Sequence, residues 1–110
     1  MILVQFKNAW YAAVIVCDIC QQRISDGGLA VAVFPHVNHE SSELLPVLHA
    51  HRGPCHHAAE AKLGGNTGQE ELANHLLQMA HNSGLSSEAL IDHRKAYEIA
   101  HHGGAPEGHD

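Results

Sequence analysis

Cys17-Asp18-Ile19-Cys20, and further on His51-Arg52-Gly53-Pro54-Cys55, are the two stretches on which the fold of this chain turns. A two-residue gap lets the thiolates of Cys17 and Cys20 reach one tetrahedral metal ion from a tight turn. The remaining ligands must come from a place held rigidly against that turn. A strand end followed by the first turn of a helix meets the need, because the unpaired N–H groups at a helix N-terminus stabilise a thiolate. Pro54 suits the start of a helix, which puts Cys55 in its first turn and His51 at the end of the preceding strand. The spacing therefore predicts a structural Cys3His zinc site made of Cys17, Cys20, His51 and Cys55. Such a site has all four ligands from protein and no open position for substrate.

The histidine is the open choice in that set. His49 shares a strand face with His51, so either imidazole can point inward. His56 and His57 follow Cys55 closely, although on a helix His56 projects about 100° away from it. Three thiolates and a zinc ion leave one net negative charge, which Arg52, or less favourably Arg23, could offset from the second layer. Both arginines read equally well as ordinary surface residues. The plain alternative for the cysteines is that they are small buried hydrophobes without a metal.

Around these stretches the chain divides in two. Ile2–Phe6 and Trp10–Val16 are apolar runs rich in β-branched and aromatic residues, consistent with two strands or one bent strand. Ser25-Asp26-Gly27-Gly28 is a turn signal of the kind that joins hairpin strands, and Leu29–Phe34 is the next strand, closed by Pro35. His36–Glu43 is a polar loop, and Leu44–His51 a further strand with Pro46 inside it or at its start. Cys55–Leu63 is Ala-rich and helical up to Gly64-Gly65. Thr67-Gly68-Gln69-Glu70 matches a capping box ahead of a helix carrying Leu72, Leu76, Met79 and Ala80, with a stop at Asn82-Ser83-Gly84. Ser86 or Ser87 can cap a last helix bearing Leu90, His93, Tyr97 and Ala100. The expected class is α+β: a small antiparallel sheet with a zinc knuckle, then a helical C-terminal half packed against it. Residues 1–102 form one domain, with a zinc-finger-like part over 1–63, a two-helix part over 67–102 and a disordered tail over 103–110.

The knuckle, the strands after it and the helix-borne cysteine together resemble the treble-clef and zinc-ribbon class of zinc-binding domains over about residues 17–63. The resemblance implies a knuckle holding Cys17 and Cys20, a β-hairpin, and a helix whose first turn brings Cys55, with His51 in the remaining position. Gln21 departs from that pattern, since glycine commonly follows the second knuckle cysteine. The two later helices lie outside the resemblance.

Composition narrows the function. The chain has 110 residues, one domain's worth, and only five aromatic residues besides its histidines (Phe6, Trp10, Tyr11, Phe34 and Tyr97). Its core must rest on aliphatic side chains, and bound zinc would add folding free energy directly. Six Lys and Arg against 12 Asp and Glu give a net charge of −6, which makes nucleic acid an unfavoured partner. Twelve histidines exceed ordinary usage, but they fall as singles and pairs. Solvated surface accounts for them more simply than a metal-buffering tract or a pH sensor. Three cysteines make a poor disulfide framework and suit a reducing, cytoplasmic setting. Met1–Val16 lacks a charged leader, carries Lys7 and Asn8, and is too short to span a bilayer, so no membrane role is expected.

The expected role is a non-catalytic module for protein–protein contact or regulation, with an unidentified protein partner or a homodimer through the C-terminal helices. The different-class alternative is an HNH-like metal-dependent nuclease, invited by Leu48-His49-Ala50-His51, Gly64-Gly65-Asn66 and His75. Thiol–disulfide exchange at Cys17 and Cys20 lacks a following helical pattern. Deaminase chemistry lacks both a preceding His-x-Glu and a cysteine three positions after Cys55.

Overall fold

The structure, a computed structural model, describes residues 1–37 and 42–100, with Ala100 described by its backbone alone. Part of the polar loop expected over His36–Glu43, and the whole tail expected over Gly103–Asp110, lie outside the described residues. Two small antiparallel sheets and three α-helices among the described residues make the fold α+β, with the helices in the C-terminal half.

Strands β1 (Ile2–Lys7) and β2 (Trp10–Ile15) form a hairpin in which Lys7 stands opposite Trp10. The two residues between them, Asn8 and Ala9, both take positive φ, 53° and 67°. That is the mirror-image turn whose twist suits a hairpin. Asparagine adopts it readily; alanine does so under strain. After β2 the chain enters the Cys17–Cys20 knuckle and returns alongside itself, with Val16 bridged to Arg23 and the Ile24 N–H bonded to the Ile15 carbonyl at 2.8 Å. The turn signal that follows leads into one 3-10 turn, Gly27–Leu29, capped by Asp26 through a 3.0 Å bond from the Gly28 N–H.

Strand β3 (Ala30–Pro35) is the centre of the second sheet, with β4 (Leu48–His51) on one side and β5 (Thr67–Glu71) on the other. Ala30 to Val33 are all buried, as a run with no polar alternation requires of a strand covered on both faces. Val31, Val33 and Ala50 of this sheet join Cys17, Ile24, Ala59 and Leu72 in the core. Helix α1 (Pro54–Lys62) follows β4 after a turn at Gly53, whose φ of +92° favours glycine.

Thr67–Glu70 does not cap a helix. These residues belong to β5, paired with β3 from Pro35 opposite Thr67 to Val31 opposite Glu71, and helix α2 (Leu72–Asn82) begins only afterwards. An open strand edge offers a full ladder of backbone bonds to this segment, where a capping box satisfies two orphan donors. The side chains are used elsewhere as well: the Thr67 hydroxyl donates to Glu60 Oε2 at 3.3 Å, and the Glu70 carboxylate holds His75. The apolar side of this helix starts at Leu72, which is the buried residue of α2. Helix α3 (Ser87–Ala100) is capped by Ser86, whose hydroxyl accepts from the Ala89 N–H at 3.1 Å. None of these helices is long and apolar enough to cross a membrane.

Candidate metal centre

Register places the histidine. Ala30 pairs with His51 and Ala32 with His49, so both imidazoles leave the same face of the sheet over small residues that give them room. The Cys17–Cys20 knuckle lies against this strand through Asp18. The Asp18 N–H donates to the His49 carbonyl at 2.8 Å, and its Oδ2 accepts from the His49 N–H at 2.7 Å and from the Met1 ammonium at 3.0 Å. Burial pushes the Asp18 carboxyl up, but the His49 N–H and the ammonium outweigh it and hold the group below its usual range. Asp18, which anchors the knuckle to β4, is the residue that cysteine spacing alone did not identify. A carboxylate directly after the first knuckle cysteine was its only signal.

The knuckle closes with the Gln21 N–H bonded to the Cys17 carbonyl at 3.0 Å. Gln21 takes φ +63°, the conformation glycine would adopt freely, and its side-chain amide donates to the Asp18 carbonyl at 3.2 Å. The turn forms despite the departure from glycine, at some cost in strain. At the other end, Pro54 occupies the first turn of α1 and Cys55 follows it, carried back towards the knuckle.

The ligand atoms of Cys17, Cys20, His51 and Cys55 all lie within 4.8 Å of one another, close enough to hold one metal ion. Cys20 Sγ is 3.5 Å from His51 Nδ1. In a zinc tetrahedron of ordinary bond lengths, a sulfur–nitrogen edge measures about 3.6 Å. Of the four candidate histidines, His51 is the one whose ring nitrogen lies with the three sulfurs. His49 instead faces Asp18 and His75, while His56 and His57 stand 3.7 and 3.5 Å from Glu60.

The electrostatics of the four groups are uneven. Burial pushes the Cys17 thiol up, yet backbone N–H groups of Cys20, His51 and Ile19, with the His51 ring, together bring it down to about 6. The Ile19 N–H stands 3.4 Å from Cys17 Sγ. Cys55 is pushed up to about 11, by desolvation and then by the neighbouring sulfurs of Cys17 and Cys20. Three sulfurs packed this closely repel one another as thiolates, and a divalent cation between them removes the repulsion. Backbone N–H donors stabilise the thiolate at Cys17; Arg52 makes a loose, exposed ion pair with Glu71 at 3.9 Å, and Arg23 donates to Gln5 Oε1 at 3.0 Å.

A second polar cluster lies on the same face, one pleat back from His51. Ala32 pairs with His49 on one side and with Glu70 on the other, so the two side chains flank it. His75, from α2, folds over them: its Nδ1 is 2.7 Å from Glu70 Oε1, and its ring centre is 5.6 Å from that of His49, edge to face. His75 is therefore held by a carboxylate as well as packed on its helix. No family model, curated protein or solved structure matches the chain.

Proposed function

We propose that this chain is a small zinc protein whose Cys17, Cys20, His51 and Cys55 hold one structural zinc ion, in a treble-clef-like order of knuckle, antiparallel strands and helix, and that it acts as an interaction module. The observation that carries this reading is the convergence of three sulfurs and one imidazole nitrogen within 4.8 Å. Thiolate and imidazole donors in this proportion suit zinc and disfavour hard cations such as magnesium or calcium. Four protein ligands leave no position for a reacting water, which argues for architecture over catalysis. The aliphatic core is small, so zinc would supply a large share of the folding free energy.

The interaction role rests on what the helices leave uncovered. Leu77, Leu85 and Leu90 line a groove of about 580 Å³ between α2 and α3, and Ile91 and Ile99 of α3 are exposed. A second copy of the chain is the occupant we favour, because groove and apolar helix are both present on one molecule. Purified protein should carry at least one zinc per chain and sediment as a dimer, with Leu90→Asp giving a monomer that keeps its zinc. Protein that retains no zinc would end the structural-site reading. A wild-type monomer at high concentration would end the homodimer reading alone.

A further inference from the structure

We propose that His49 and His75 form a second, imidazole-only site for a borderline divalent cation such as zinc, cobalt or nickel, oriented by Asp18 and Glu70. It is independent of the Cys3His group and goes beyond the interaction role.

Unmet hydrogen bonding marks both rings. His49 is 4% exposed, and both its ring nitrogens are buried without a hydrogen-bond partner; His75 Nε2 is in the same state. Buried polar atoms are ordinarily paired, and an orphaned one calls for an explanation such as an ion. His75 has its other nitrogen committed. An ionised Glu70 carboxylate accepts from Nδ1–H, and in that tautomer of the neutral imidazole Nε2 presents a lone pair. Glu70 is itself braced by the Gln78 side-chain amide at 2.9 Å. Carboxylate, then imidazole, then an open nitrogen is the order in which metal-binding histidines are oriented and made more basic.

His49 repeats the pattern more loosely, with Nδ1 3.7 Å from Asp18 Oδ2. Two imidazoles sharing one tetrahedral ion through ring nitrogens place their centres about 5 Å apart; here the separation is 5.6 Å. Asp18 and Glu70 bring negative charge to the cation without being ligands, and water would complete its shell. His75, the less buried of the two at 17% side-chain exposure, leaves the way in. The neighbouring groups are Asp18 with the Met1 ammonium from the N-terminal side, Glu70 from β5, and Gln78 from α2.

The test is cobalt(II) titration of metal-free full-length protein, with cobalt retained after gel filtration counted per chain. The wild type should retain about two equivalents, the thiolate site showing sulfur-to-cobalt charge transfer and the second site none. His75→Leu, and separately His49→Leu, should each lose about one equivalent while the charge-transfer bands persist, which also reports that the domain has folded. Cys20→Ser should alter those bands. Retention of a single equivalent by the wild type overturns the proposal. So does equal retention by the wild type and His75→Leu, which would assign the extra cobalt to surface histidines. Absent charge-transfer bands with a His75-dependent equivalent would sink the Cys3His reading and leave this site standing.

Discussion

At the scale of single residues, two positions carry strain that substitution can release or exploit. Ala9 sits at φ 67° in the β1–β2 turn, where its Cβ is unwelcome. Ala9→Gly should raise the stability of the metal-loaded protein by about 0.5–1 kcal/mol, relief of strain being offset in part by a freer unfolded chain. Urea denaturation midpoints read this directly, and an unchanged or lower midpoint counts against the turn. The cysteines give a pH signature. Cys55, raised to about 11, is protonated at neutral pH, so each metal bound must displace at least its proton. Cys17 is depressed to about 6, so its thiolate takes up a proton only as pH falls through that value. Log Kd for zinc should therefore fall by at least one unit per unit rise in pH near neutrality, and by at least one unit more below pH 6. Competition with a chromophoric chelator across that range measures the slope, and a flat line would contradict the assignment.

At the scale of elements, the packing of β5 against β3 is the most exposed to test. A Cβ added at Gly68 would meet Phe34 Cε1 at 2.5 Å, on a ring that cannot retreat as a flexible chain would. Gly68→Ala should cost about 1–3 kcal/mol, read as a lowered thermal midpoint, while Gly65→Ala, which meets no atom within 4 Å, suffers only the strain of its φ of +88°. This pairing also marks where sequence reading failed. Thr67-Gly-Gln-Glu70 has the local chemistry of a capping box, and nothing local reveals that a neighbouring strand edge is waiting for it. Helix α1 was legible because Pro54 and an Ala-rich run act locally; the end of α2 was legible because Gly84 marks its stop, with φ 77°. The strands β1, β2 and β3 were legible from their apolar runs, whereas the strand expected over Leu44–His51 is only Leu48–His51, with Leu44, Leu45 and Val47 outside it; the split of five strands into two sheets depends on pairings that periodicity does not encode.

At the scale of the whole molecule, the candidate site was legible to the extent that metal chemistry constrains sequence. Cys-x-x-Cys and His-x-x-x-Cys carry their spacing openly, whereas the choice of His51 over His49 needed the register of β4 and the anchoring of Asp18. The His49–His75 contact was out of reach, because it exists only once β5 has paired and α2 has folded back over the sheet. Cys17 is both a metal-ligand candidate and a fully buried member of the core, which ties the stability of the domain to its metal. Exhaustive chelation should therefore remove cooperative unfolding, and an unshifted melting curve would separate the fold from the ion. The most direct measurement is X-ray absorption at the zinc edge on metal-free protein given one equivalent of zinc. A Cys3His zinc site gives three sulfurs at about 2.3 Å and one nitrogen at about 2.0 Å; a shell of oxygen and nitrogen alone would contradict it.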